Sequence, residues 1–527
     1  MRGFLQRKEL CNQFGALAFL YHFTNPGGRR HLQPLNFYLR FCVLYSGKTI
    51  SCAVCSKVRL RQNHRQSRPH LLQESDCRYK NARAFPEPTL PSSKRASNPS
   101  TSSSRSSFAH AWRALRHRNF RLFFAGQTIS LVGTWMTRVA TSWLVYRLTG
   151  SALMLGTVSF CGQIPTFLFA PFAGVWVDRL DRRQVLVWTQ AIAMLQSLAL
   201  AALTLCHHIN IPLLLGLSLV QGIVNALDMP ARQSFMIQMV SDRADLSNAI
   251  ALNSSMVNFS RLIGPSIAGL VIAATSEGWC FLIDGISYSA VIVSLLAMRI
   301  ALAPDGRKPS DTLTALREGW SYVSGFVPIR TILLLFAVCS LMGMPFVVLM
   351  PIFAAQVLHG GPHTLGFLMG AMGVGALISA LSLAARKSVR GLLGMIPIAS
   401  LTFGLGLIGF GLSRSFWLSM LAVLIAGMGM MQGMAASNTI IQTIVSEDKR
   451  GRVMSYYTMA FVGMAPFGSL LAGSMAHRLG APLTVALNGA AVVLGALWFF
   501  TRLGRVRRAV RPIYEDLGIL RSSSSIS

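Results

Sequence analysis

A chain of 527 residues that is 52% apolar and only 13% charged, with a mean hydropathy of +0.48, is too poor in charge for a soluble protein, where about a quarter of residues are ionic. Its 49 Lys and Arg against 18 Asp and Glu give a net charge of +31. In a chain this apolar, that excess is the positive-inside bias of membrane loops rather than a nucleic-acid footprint, so nucleic acid is excluded as a partner.

Residues 1–107 differ from everything that follows, with 18 Lys and Arg, 4 Asp and Glu and a Ser-rich stretch from Ser92 to Ser107. Their best apolar run, Phe37 to Tyr45, is broken by Arg40 and is far too short to span a bilayer. The segment is expected to be a disordered basic extension. An upstream mis-assigned start, a cytoplasmic tail and a transit peptide all fit it. Cys52-Ala53-Val54-Cys55 lacks the second ligand pair of a zinc site, and Gly47-Lys48-Thr49 has Cys42 where a phosphate loop needs Gly. No metal and no cofactor are expected. Cys161, Cys206, Cys280 and Cys339 are scattered singly in apolar runs, so no disulfide framework is read.

From Phe120 onward, apolar stretches of about 20 residues recur, each long enough as a helix to cross hydrocarbon. They predict spans at about 122–147, 152–175, 184–206, 212–236, 248–273, 279–299, 331–357, 365–385, 393–412, 416–444, 453–476 and 482–502. Alternate loops are basic, carrying Arg179/Arg182/Arg183, Arg232/Arg243, Arg299 to Arg330, Arg386/Lys387/Arg390 and Lys449/Arg450/Arg452. The opposite loops offer Arg147, Arg414 and Arg478. Both termini and the 300–330 loop are therefore expected in the cytoplasm, with the chain multi-pass in the plasma (inner) membrane.

The two halves of this series echo each other. Leu155-Gly156 matches Leu365-Gly366 at an offset of 210, Ile237-Gln238 matches Ile441-Gln442, and Gly264-Pro265 matches Ala465-Pro466. The expected fold is an all-α membrane protein of twelve transmembrane helices in two six-helix halves, 108–299 and 331–505, joined by a cytoplasmic linker, 300–330, and ending in a tail, 506–527.

Between spans 2 and 3 lies Gly174-Val175-Trp176-Val177-Asp178-Arg179-Leu180-Asp181-Arg182-Arg183. It resembles the signature loop of the major facilitator superfamily of transporters, with Asp181 where that pattern usually has Gly. The resemblance covers about residues 108–505. It implies a conformational latch of Gly174, Asp178, Arg179, Arg182 and Arg183, with Asp178 facing the amino end of span 11 beside Arg450 and Arg452. A carboxylate there is favoured by the helix dipole and free N–H groups. Such a latch would hold the cytoplasmic side closed, the outward-facing state. In span 5, Arg261, Gly264, Pro265 and Gly269 resemble the Gly-Pro-x-x-x-Gly motif of drug/proton exporters of that superfamily, where Pro kinks the helix and Gly permits close approach. Gln221-Gly222 resembles another of its motifs, although Ser218 stands where an Arg is usual. Asn225 to Gln233 and Arg450 to Ser455 resemble the branch of enterobactin and macrolide exporters.

Within the spans, the acids are Asp228 and Asp284 and the bases Arg138 and Arg261. Two against two suggests internal pairing, since a lone charge in hydrocarbon is costly. Arg138 and Asp284 fall at one depth, so Asp284 reads as a structural partner and Asp228 as the more isolated, better proton-coupling candidate. By analogy with the superfamily, where spans 1, 4, 7 and 10 line the cavity, Trp135, Arg138, Trp143, Gln221, Asn225, Gln432 and Asn438 are the expected lining. The Met residues of spans 7 and 10, among them Met342, Met344, Met350, Met428, Met430, Met431 and Met434, suit either a greasy cargo or lipid contact.

The reading is a monomeric secondary transporter, not an enzyme, in contact with membrane lipid. It exports a small amphipathic compound, drug or siderophore-like, by proton antiport and alternating access. An uptake carrier or lysolipid flippase of the same fold is the alternative. The rival from another class is a membrane enzyme or non-transporting sensor. No His-Glu-x-x-His or comparable reactive cluster supports the enzyme, and His207-His208 is expected to be solvated.

Overall fold

The computed structural model describes residues 43–46, 49–52, 112–240, 245–298, 312–386 and 388–519. In the extension, where disorder was expected, Val43–Ser46 pairs antiparallel with Thr49–Cys52, Val43 opposite Cys52 and Ser46 opposite Thr49. All other regular structure among the described residues is helical.

The helices are α1 (Arg118–Thr149), α2 (Ala152–Arg179), α3 (Arg182–Leu205), α4 (Ile211–Gln238), α5 (Leu246–Ala274), α6 (Glu277–Ala297), α7 (Thr312–Gly325), α8 (Val327–Val338), α9 (Phe346–Ile352), α10 (Pro362–Ala384), α11 (Leu392–Leu412), α12 (Phe416–Ile444), α13 (Glu447–Val462), α14 (Ala465–Leu479) and α15 (Ala481–Asp516). Among the described residues, eleven helical segments are long and apolar enough to cross a membrane, with α8–α9 and α13–α14 each counting as one. The 32-residue α1 packs among them but falls outside that set, because Thr128, Thr134, Thr137, Thr141 and Arg138 dilute its hydropathy.

Local chemistry sets the ends. Gly150 takes a left-handed φ of 60° after α1, and Ser151 caps α2 by accepting from the Met154 N–H at 3.4 Å. Asn210 caps α4 through the Leu213 N–H at 3.0 Å. Asp181, the departure from the superfamily pattern, is the N-cap of α3 and accepts from the Arg183 N–H at 2.9 Å.

Besides the hairpin in the extension, and α15 running on to Asp516 where a tail is expected from 506, three features differ from the sequence expectation. The 300–330 linker contains α7, whose Glu318 forms an ion pair with Arg452 and whose Trp320 ring packs on Tyr456 at 5.8 Å, so amphipathic packing on α13 orders part of a segment read as loop. The seventh span holds two π-helical segments, Cys339–Gly343 and Phe353–Val357. Pro345 cannot donate to the Leu341 carbonyl, which lies instead against Gly468. The eleventh span breaks at Gly463-Met464, and the Phe461 carbonyl left at the break accepts from the Ser340 hydroxyl.

Alternate connections fall at opposite ends of the bundle. One end carries Arg182, Arg183, Arg386, Arg390, Lys449, Arg450 and Arg452; the other is sparsely charged, with Arg147 held by buried Glu277 at 3.0 Å. In the first group, α1 lies against α5 and α6, α3 against α6 and α4, and α2 against α4. In the second, α11 lies against α12 and α15, and α10 against α12. Around the outside, Trp188, Leu195, Ile286, Leu381, Leu412, Trp417 and Leu494 are exposed, the apolar belt of a body solvated by hydrocarbon.

The groups meet along α2–α14 and α5–α10. A Cβ on Gly156 would stand 2.6 Å from the Ser469 carbonyl oxygen and 3.0 Å from the Gly473 Cα. One on Gly366 would stand 2.6 Å from the Pro265 carbonyl oxygen and 3.0 Å from the Gly269 Cα. Both crossings are backbone on backbone, which only small residues allow. Deeper along the seam, Phe467 packs edge-on against Phe160 and Phe167 at 6.1 and 5.4 Å, and Ser159 donates to Ser469 at 3.2 Å. Among the described residues these contacts run from the sparsely charged end to about mid-depth. Cysteines at Ser159 and Ser469 should therefore cross-link on mild oxidation in an otherwise cysteine-free chain. A protease site in the 300–311 segment would reveal this as fragments joined until reduced; fragments that separate without reductant would contradict the seam.

Candidate functional site

The charged residues within the helices sort into two buried clusters and one open one. Asp228 of α4 is buried, forms an ion pair with Arg232 one turn on, and accepts from Gln190 at 2.8 Å and Thr189 at 3.3 Å on α3. Asp284 of α6 is also buried, but its partners are hydroxyls, Thr137 at 2.7 Å and Ser197 at 3.0 Å, both on Oδ2. Its Oδ1 has no hydrogen-bond partner and lies against Gly133, where a Cβ would stand 2.7 Å away. The pairing expected from depth is therefore reversed: Asp228 is the ion-paired acid, and no ion pair joins Asp284 to Arg138 among the described residues. The reason is local, since the i,i+4 spacing gives Asp228 a partner on its own helix.

Arg138 instead stacks on Trp135, its guanidinium carbon 4.6 Å from the ring centroid, and Arg261 lies at 5.3 Å from the same ring. Gly264 makes this possible, because a Cβ there would stand 2.5 Å from the Trp135 Cβ. Its neighbour Pro265 turns its carbonyl to Gly366, and Gly269 receives the Pro362 carbonyl, so the span-5 motif joins α5 to α1 on one side and to α10 on the other.

Of the other expected lining residues, Trp143 packs on Tyr146 at 5.7 Å, and Gln221 donates to Asn225 at 3.4 Å while its Oε1 is buried without a partner. Gly222 meets the Gly162 carbonyl and Pro165, bringing α4 onto α2. Gln432 is half-buried, and half-buried Asn438 accepts from Gln442. A small apolar pocket in the second group is lined by Phe336, Cys339, Met344, Phe403, Met430 and Phe461, next to the first π segment.

The latch residues divide. Gly174, Asp178 and Arg179 fall in the last turns of α2, where the surroundings of Gly174 and the side chains of Asp178 and Arg179 lie outside the described residues. Arg183 donates to the carbonyls of Leu295 and Leu296 at 2.9 and 2.8 Å, capping the end of α6. Arg450 faces Glu447 at 3.7 Å on its own helix, while Arg452 is engaged by Glu318 of α7. Arg182 also has a partner. Sequence reasoning missed the roles of Asp181, Glu318, Arg232 and the Ser159–Ser469 contact. Of these, only the i,i+4 spacing of Asp228 and Arg232 carried a signal.

The family described as transmembrane secretion effector matches residues 109–511 of the chain. The chain is similar to the staphyloferrin A transporter of Staphylococcus aureus, 25% identical over 384 residues, covering 72% of this chain and 95% of that protein. It is also similar to the multidrug efflux pump Tap of Mycolicibacterium fortuitum, 27% identical over 411 residues, covering 74% and 97%. Its fold resembles a POT family transporter in complex with 5-aminolevulinic acid, at TM-score 0.60 and 13% identity, covering 74% of this chain and 96% of that one. It likewise resembles a bacterial homologue of the human lysosomal transporter Spinster in an inward-facing, unoccupied conformation, at TM-score 0.54 and 15% identity, covering 76% and 98%.

The Asp228–Arg232 pair gives a test of its own. Arg232→Gln should destabilise the solubilised protein by about 3 kcal/mol, because it leaves a buried carboxylate without its cation and with only Gln190 and Thr189 as donors. The double change Asp228→Asn/Arg232→Gln should recover much of that loss in a thermal-melt cycle. Additive losses would mean that the two side chains are not coupled.

Proposed function

Because the chain belongs to the major facilitator superfamily, in its family of transmembrane secretion effectors, we propose that it is a secondary active exporter of a small amphipathic compound, driven by proton entry. The proposed body has twelve spans: α1 to α6 in the first half, then α8–α9, α10, α11, α12, α13–α14 and α15 in the second. The basic end is taken as cytoplasmic and the chain as resident in the plasma membrane.

The observation that carries the alternating-access reading is the seam. The described contacts between the halves run from the sparsely charged, outer end to about mid-depth, through Gly156/Gly473 and Gly269/Gly366. These contacts support the reading of a carrier shut to the outside. The glycine crossings then serve as the outer closure, which parts in the opposite state, when the Asp178 latch acts as the cytoplasmic ends of α2 and α13 come together. Of the two acids, Asp284 is the better proton carrier on this geometry, because among the described residues it has no cationic side chain in contact and one oxygen without a partner.

Cells lacking their own efflux pumps and expressing the chain should accumulate less of at least one amphipathic dye, and a protonophore should restore the uptake. Accumulation unchanged across a dye panel, with the protein in the membrane, would count against multidrug export. Asp284→Asn should remove the protonophore-sensitive part while leaving insertion intact; unchanged coupling would exclude Asp284. Asp178→Asn should cripple transport at normal expression, and full activity would remove the latch.

A further inference from the structure

We propose that Arg138 and Arg261, set around the ring of Trp135, hold the anionic group of the cargo, which makes that cargo a carboxylate-bearing amphipathic molecule. The inference deepens the export reading and rests on it for the path by which cargo arrives. Arg138 lies about 30 Å along α1 from its basic end and about 16 Å from the other, so the pair stands well inside the bundle.

Two distances define the arrangement. The guanidinium carbons lie 4.6 and 5.3 Å from the centroid of one indole ring, which puts them within about 10 Å of each other. They are close enough to repel. Among the described residues, neither guanidinium donates a hydrogen bond or joins an ion pair, and the Arg261 Nε is buried without a partner. Arg138 is exposed. A buried unmet donor and unneutralised charge at this depth are costly, and structures retain them where a ligand supplies the acceptors.

The pair lies between α1 and α5. The Arg261 carbonyl oxygen would lie 3.3 Å from a Cβ on Gly373 of α10, so this turn of α5 borders the second group. Asp284 lies within electrostatic reach of Arg138, but its Oδ2 is already occupied by Thr137 and Ser197. Counting all three, the layer carries two positive charges against one negative, the wrong balance for a cation and the right one for a monoanion. The planar, forked donors of Arg suit the two oxygens of a carboxylate, and the flat face of Trp135 offers apolar surface to the part of the molecule next to it. Cation–π attraction holds each guanidinium in place before the anion arrives.

The test is binding to the purified full chain in lipid nanodiscs, comparing dansylaminoundecanoate with its methyl ester, which differ in charge and little else. The acid should bind at least about tenfold more tightly than the ester, the effect expected of one charge-assisted hydrogen-bonded contact. Arg138→Gln and Arg261→Gln should each lower acid binding about tenfold while sparing the ester, and Arg138→Lys should restore part of the loss. Equal affinity for acid and ester, tighter binding of the ester, no saturable binding of the acid, or a ratio that neither Gln variant alters would overturn the proposal. The wild-type comparison needs no variant to fold. Because binding is read without transport, charge-selective binding in a chain that exports nothing would count against export alone, and export without charge-selective binding against the anion site alone.

Discussion

Backbone-on-backbone contact at two glycine crossings is the constraint on which the rest of this molecule depends. At Gly156/Gly473 and Gly269/Gly366 no side chain fits between the helices, so α2 meets α14 and α5 meets α10 with carbonyls against Cα atoms. Such contacts gain from packing without a hydrophobic driving force, because lipid tails are as apolar as the helices. They also leave few interlocked side chains to break. A seam of this kind holds two groups of helices together along one line while leaving each free to move as a body.

The polar residues follow from that division. Within the first group, Asp228 is held by Arg232, Gln190 and Thr189, and the Oδ2 of Asp284 by Thr137 and Ser197. Neither depends on a partner across the seam, so neither has to be broken when the seam changes. The two arginines beside Trp135 are the exception, charged and without a protein acceptor among the described residues. They lie between α1 and α5, on a turn of α5 whose backbone borders α10, and Arg138 is exposed.

Hydrophobic length made the spans readable, and most boundaries fall within a few residues of expectation, because an apolar run that must cross about 30 Å of hydrocarbon leaves little choice. Where polar chemistry competes, the reading failed. The charge and proline content of 300–330 hid the amphipathic face of α7, which shows only once Arg452 and Tyr456 supply the other surface. Asp181 looked like a flaw in a glycine pattern and is a helix cap. Arg232 was counted as a loop charge, so its i,i+4 relation to Asp228 was overlooked. The neighbours Trp135 and Arg138 could be seen at i,i+3, but no spacing within one helix brings Arg261 to the same ring. That contact exists because Gly264 has no side chain.

In the proposed cycle the bundle is closed along the seam at one end here and closes at the other end in a second state. The most direct test of that alternation is pulsed electron paramagnetic resonance on the full chain in lipid, with spin-label pairs at His208 and Arg414 on the sparsely charged end and at Arg116 and Arg386 on the basic end, in a cysteine-free background. Moving from neutral to acidic buffer should lengthen one distance distribution and shorten the other. Distributions that stay fixed, or that shift in the same sense at both ends, would contradict alternate closure of the two ends.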